Sequence, residues 1–80
     1  MKAIIKIGLK TGVLDPQGRA IARSLSDLGY EGVKDARQGK IIELDLQGDD
    51  VSAAELQVVE MCEKLLANTV IENYDIRIEV

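Results

Sequence analysis

The sequence predicts an α+β fold: an antiparallel sheet with two helices on one face, in a ferredoxin-like-related β-α-β-(β)-α-β order. Three observations point to it. Both ends of the 80-residue chain alternate apolar and polar residues with period two, as half-buried strands do. Two internal stretches carry apolar residues at helical spacing, each behind a helix-start signal. These helical stretches alternate with the strands, and right-handed β-α-β crossovers place both helices on the same side of a sheet.

The first strand is "KAIIKIGLK". Ala3, Ile5, Ile7 and Leu9 share one face; Lys2, Ile4, Lys6, Gly8 and Lys10 share the other. In "TGVLDPQGRAIARSLSDLGY" a turn leads into a helix. Asp15 is suited to be its N-cap, with Pro16 at the first helical position, where a missing N–H costs nothing. Ile21, Leu25 and Leu28 form the stripe expected to be buried, with Arg19, Arg23 and Asp27 on the wet side. Gly29 can end the helix in a left-handed conformation.

"EGVKDARQGKIIELDLQGDD" reads as two strands about a tight connection at Gly39-Lys40, or as one long strand bent there. In its second part Ile42, Leu44 and Leu46 oppose Glu43 and Asp45; the first part, 33 to 38, has a weaker pattern. "SAAELQVVEMCEKLLANT" is a helix, with Ser52 and Glu55 spaced as a capping box. Val58, Val59, Cys62, Leu65 and Leu66 cluster as its core face, Met61 lies on the flank, and Leu56 falls on the wet side. "VIENYDIRIEV" closes the chain as a strand, with Tyr74, Ile76, Ile78 and Val80 on one face.

One sheet face is then left without helices. It would carry Lys2, Ile4, Lys6, Lys10, Ile41, Glu43, Asp45, Asp75, Arg77 and Glu79. Lysines of the first strand facing acids on its neighbours suit such a face to water, or to a mixed contact with a second sheet.

Length and composition give one domain, residues 1–80, with a narrow stability margin that association commonly relieves. An apolar fraction of 46% and a charged fraction of 30% are those of a globular chain and not a disordered one. The net charge of −4 disfavours nucleic acid. No apolar run approaches a membrane span, and lysines at 2, 6 and 10 interrupt any signal-peptide core, so a cytoplasmic location is expected.

The chain has no histidine and one cysteine, which excludes Ser/His/Asp and Cys/His nucleophiles. Cys62 on an apolar helix face reads as a core residue. Asp49-Asp50 and the scattered glutamates lack calcium-loop spacing. "QGK" at 38–40 lacks the remainder of a phosphate-binding loop, so a turn with an exposed lysine is the simpler reading. Two tyrosines and no Phe or Trp cannot build an RNA-stacking sheet. A regulatory domain that holds a small ligand between two copies remains compatible with this inventory, because backbone groups can hold such a ligand. Arg37 and Lys40 make a small basic corner, either solubilising charge or a docking contact.

"VLDPQGRAI", Asp35-x-Arg37-x-Gly39-Lys40 and "MCEKLLANTVIENY", in that order and at these separations, resemble the PurS family, the small subunit of phosphoribosylformylglycinamidine (FGAM) synthase. The resemblance runs from about Lys2 to the last strand. It implies a non-catalytic subunit of a carbon–nitrogen ligase complex in de novo purine synthesis. That complex converts formylglycinamide ribonucleotide, ATP and glutamine to formylglycinamidine ribonucleotide. Ammonia would be released by a PurQ glutaminase subunit and used by a PurL synthetase subunit. ATP, Mg and glutamine would belong to those partners, with no cofactor and no metal bound here. The family resemblance also implies a homodimer or tetramer that bridges the two partners and helps hand ammonia across. The candidate interface residues are Asp15, Gln17, Arg37, Lys40, Asn68 and Thr69. Asn68-Thr69 can equally close the helix locally. Removing the Arg37 side chain is expected to weaken assembly with little loss of fold stability.

Overall fold

A computed structural model describes all residues, 1–80. The order is β1 (Lys2–Leu9), α1 (Pro16–Asp27), β2 (Lys40–Asp45), α2 (Val51–Met61) and β3 (Glu72–Glu79), with α2 running on into a wide π-helical turn, Cys62–Leu66. The three strands form one antiparallel sheet in the order β2-β1-β3. Ile5 stands opposite Ile42 on one side and Ile76 on the other; Ala3 stands opposite Leu44 and Ile78. The expected α+β sheet is thus present, with β1 at its centre.

The alternation in β1 works as the sequence requires. Ala3, Ile5 and Ile7 are buried under Val58, Cys62 and Ala67 of the α2 segment, with Tyr74, Ile76 and Ile78 packed around them. On the opposite face Lys2 lies between Asp45 and Glu79, and Lys6 between Ile41 and Asp75. That face carries the expected mixture, including an exposed Ile41 and a Lys2–Glu43 approach of 3.8 Å.

Helix α1 starts and stops as predicted. Gly18 N–H donates to Asp15 Oδ1 at 2.8 Å and Pro16 opens the first turn. At the other end Tyr30 N–H reaches Leu25 O and Gly29 N–H reaches Ser26 O, a Schellman closure that Gly29 permits with φ of +98°. The place of α1 differs from expectation. It does not lie on the sheet, and its stripe is open: Ile21 is 41% exposed and Leu28 73%. Only α2 covers the sheet, so the two helices do not share a face. The strand expected over 33 to 38 does not form either; residues 33–39 run extended into β2 with no ladder partner. The antiparallel pairing of β1 with β2 explains both differences: no parallel crossover joins them, so nothing obliges α1 to pack back.

The molecule is accordingly long, 49 × 25 × 14 Å. Its radius of gyration is 16.1 Å, against about 12 Å for a compact chain of this length.

Two details of α2 also differ. Its N-cap is Asp50, whose Oδ1 accepts from Ala53 N–H at 3.1 Å, so the helix begins before the Ser52/Glu55 box and does not use it. At its end Ala67 N–H bonds Cys62 O, a step of five residues that widens the last turn. Leu65, expected in the core face, is turned out to 82% exposure, and Val59 is also exposed. Leu56 is exposed and Met61 packs on the core's flank, as predicted. Val80 lies past the end of β3 and is exposed rather than in line with Ile78.

Candidate functional site: a polar cleft at the root of α1

The chain leaves β1 at Leu9, turns through residues 10 to 15, enters α1, and returns through 36 to 39 into β2. This crossing is held by two glycines. A Cβ on Gly18 would lie 2.1 Å from Ala36 O, and one on Gly39 would lie 2.5 Å from Ile7 O. Only bare backbones can approach so closely, so the returning segment is seated against both the helix start and β1.

Asp15 ties the same crossing electrostatically. Its Oδ1 caps α1 and its Oδ2 accepts from Gln38 N–H at 2.7 Å. The Gln38 and Gly18 amides hold the carboxyl below its ordinary value against the opposing effect of burial, with a lesser contribution from the Arg37 guanidinium. A buried carboxylate with both oxygens engaged is an anchor and not a general base.

Arg37 closes the crossing from outside. It donates to Val13 O at 2.9 Å, Lys10 O at 3.0 Å and, at longer reach, Leu9 O at 3.4 Å. Its guanidinium therefore serves the chain's own loop, and truncating it is expected to loosen the fold here as well as any contact outside. This corrects the expectation of little effect on stability.

Beside this knot opens a cleft of about 490 Å³, lined among others by Asp15, Gln17, Gln38, Lys40 and Glu72. Lys40 begins β2 opposite Ile7 and joins no ion pair. Across the cleft, Glu72 opens β3 and its Oε1 accepts from Asn68 N–H at 2.7 Å. Asn68 then organises the turn into β3: its Oδ1 accepts from Val70 N–H at 3.2 Å, and its carbonyl from Ile71 and Glu72 N–H. Asn68 follows the helix cap Ala67 but keeps a negative φ, so it ends the helix by side-chain bonds and not by a left-handed turn. Thr69 is half-buried in that turn.

Three of the six predicted residues, Asp15, Gln17 and Lys40, thus line one cleft. Arg37 braces its loop, and Asn68 adjoins it through Glu72, with Thr69 next in the chain. Sequence reasoning missed Gln38 and Glu72. Glu72 read as one more solvent charge on an alternating strand, and nothing local marks Gln38 as Asp15's partner. The cleft offers amides, one ammonium and the Glu72 carboxylate, suited to hydrogen-bonding a polar surface. Elsewhere, burial raises the Cys62 thiol, helped by Glu63, consistent with a core role. No helix is long and apolar enough to cross a membrane.

A small split β-α-β sheet with an outlying helix and a polar cleft at that helix's root is the class of protein defined by this geometry. The chain belongs to the PurS family, described as "Phosphoribosylformylglycinamidine (FGAM) synthase", whose pattern it matches over residues 2–80. It is 45% identical over 78 residues to the phosphoribosylformylglycinamidine synthase subunit PurS of Methanocaldococcus jannaschii, covering 98% of this chain and 94% of that one. The crystal form of Bacillus subtilis PurS superposes with a TM-score of 0.88 at 46% identity, covering 99% of this chain and 98% of that one. A chain in the structure of PurLQS from Thermotoga maritima superposes with a TM-score of 0.85 at 36% identity, covering 95% and 93%.

Proposed function

We propose that this chain is the non-catalytic PurS subunit of FGAM synthase in de novo purine synthesis. It works in the cytoplasm as a homodimer that joins a PurL synthetase to a PurQ glutaminase. The observation that carries this reading is a family match over residues 2–80, joined to a structural likeness to a chain of the Thermotoga PurLQS assembly. The chain's own inventory agrees: without histidine, and with its one cysteine buried, it contributes shape and hydrogen bonds. ATP, Mg and glutamine are handled by the partners. Ammonia passing from glutaminase to synthetase must stay unprotonated and out of bulk water, which calls for fitted surfaces rather than a reactive side chain. The cleft with Asp15, Gln17, Lys40 and Glu72 is the surface assigned to that contact.

An omission assay tests the reading. Synthetase and glutaminase are mixed with the ribonucleotide substrate and ATP, with and without this chain, and supplied with glutamine or with ammonium chloride. Glutamine-dependent product should require the chain, while ammonia-dependent product should survive its omission. Equal glutamine-dependent turnover in both mixtures would remove the assignment.

A further inference from the structure

Residues 10–40, which comprise α1 and its two connections, form an arm; the sheet and α2 form a body. The arm holds six basic and four acidic residues, the body four basic and ten acidic ones. A net positive arm is therefore attached to a strongly negative body. Strand β3 is the sheet edge that belongs wholly to the body.

The register fixes which groups that edge leaves open. Lys10 N–H bonds Ile71 O, so these two residues form a hydrogen-bonded pair. Such pairs alternate along an antiparallel ladder, which makes Gly8/Asn73, Lys6/Asp75 and Ile4/Arg77 the next ones. The even-numbered residues of β3 therefore point N–H and C=O away from β1. Glu72 N–H is taken by Asn68 O in the turn, which leaves Tyr74, Ile76 and Ile78 as the free row. No proline or bulge interrupts it. The side chains of the same three residues pack on the core yet stay half-buried.

Helix α2 supplies a wall beside this row. Tyr74 OH donates to Glu63 Oε2 at 2.8 Å, which places Glu63 over the start of β3. The helix returns through a short turn and so runs antiparallel to the strand. Two residues of strand advance about 6.6 Å and four of helix about 6 Å. Val59 therefore stands near Ile76, and Glu55 and Leu56 near Ile78. All four of Glu55, Leu56, Val59 and Glu63 are exposed. On the other flank of α2, Ala53 and Gln57 face Met1 and Leu46 at the end of β2, so this stripe overhangs the β3 edge. Its charge is acidic only, because Lys64 lies on the far flank and pairs with Glu60.

We propose that the β3 edge takes an extended segment of another protein as a further strand, antiparallel to β3. Backbone groups opposite Tyr74, Ile76 and Ile78 complete the ladder. Side chains opposite Ile76 and Ile78 point toward α2 and are apolar, covering Val59 and Leu56. The one opposite Tyr74 is Lys or Arg and reaches Glu63. A second copy of this chain fits worse. Set antiparallel about Ile76, it would match Asp75 with Arg77 on the open face, but it would bring Glu55 and Glu63 of two helices together with no base between them. The site lies away from the α1 cleft and does not depend on which subunits that cleft meets.

The test uses the isolated full chain, so its outcome is separate from that of the omission assay. The probe is a blocked heptapeptide with threonine at the odd positions and valine, valine and lysine at the even ones. Titrated into nitrogen-15-labelled chain, it should shift the Tyr74, Ile76 and Ile78 amides and slow their exchange. N-methylation of its second valine, whose N–H faces the edge, should abolish this. N-methylation of the next threonine, whose N–H faces away, should not. Replacing the peptide's lysine by glutamate should weaken binding at least about tenfold. Glu63→Lys should reverse that preference. Shifts confined to other residues, equal tolerance of the two methyl groups, or equal binding of the two peptides would overturn the proposal. So would Tyr74, Ile76 and Ile78 amides already protected from exchange in the chain alone, since a second copy would then occupy the edge. Should Glu63→Lys fail to fold, the peptide series on the native chain still decides.

Discussion

In the body, every second residue of β1 is sealed: Ala3 and Ile5 are fully buried and Ile7 nearly so. In the arm, residues of the same kind at equally regular spacing stand in water, with Leu14, Ile21, Leu28 and Tyr30 all exposed. Both patterns are amphipathic, and only one finds its apolar partner within the chain. Periodicity tells that a face is to be covered; it does not tell by which molecule. Only nine of the 80 residues are buried, so the body is close to the least that can fold alone, and the arm's apolar surface finds no cover within the chain.

The largest effect that sharpens this comparison is in the core. Ile5→Ala removes a fully buried side chain from the centre of the sheet. It should cost about 2–5 kcal/mol in urea unfolding and leave much of the chain unfolded. Leu28→Ala, at 73% exposure, should cost little when the protein is dilute and more as concentration rises. Equal losses at high dilution would erase the distinction between arm and body.

Next come the glycines that fasten the arm. Gly18→Ala would drive a methyl against Ala36 O, and with two backbones opposed neither gives way easily, so a loss of about 1–3 kcal/mol is expected. Gly8→Ala has nothing within 4 Å and no positive φ. It should be neutral or stabilising by up to about 1 kcal/mol, because it restricts the unfolded chain. Denaturant midpoints for the pair separate tight crossing from open strand.

Much of this was legible in the sequence, and what was not has a physical reason. Asp15, Pro16 and Gly29 bound α1 by chemistry local to a single turn, and they do so here. The β1 and β3 alternations gave the core. The turning out of Leu65 follows from one wide hydrogen bond at Ala67, which no helical wheel anticipates. Choosing Asp50 over Ser52 as the cap was a contest between two good capping residues two positions apart. Arg37 and Gln38 take partners more than 20 residues away, so nothing in their neighbourhood marks their roles.

Acid should separate the regions next. Asp15 has its carboxyl held below the ordinary 3.8 by Gln38 and Gly18 amides and by Arg37. A depressed value contributes stability that is full above 3.8 and lost as pH falls from there through the lower folded value. Asp15→Asn should flatten that part of the pH–stability curve, and amide exchange at Gly18 and Gln38 should quicken while Ile5 stays protected. Exchange that quickens equally in both regions would mean that the arm's root and the body open as one unit.

The smallest effect tests whether charge pairs within one chain matter to either region. Lys64 and Glu60 lie 2.6 Å apart at i,i+4 on α2, with side chains 72% and 62% exposed. Water solvates both groups well when they are apart, and holding two long side chains together costs entropy. Lys64→Ala should therefore change stability by no more than about 0.5 kcal/mol, and less at high salt. The Arg77–Glu79 pair at 3.1 Å is similarly exposed on Arg77. If both pairs prove this weak, the division of charge between a basic arm and an acidic body is not there to hold one chain together. Its effect is then expected in encounters with another chain, where long-range attraction orients complementary charged surfaces before they meet. Self-association that weakens with added salt, while unfolding of the dilute chain does not respond, is the expected pair of results.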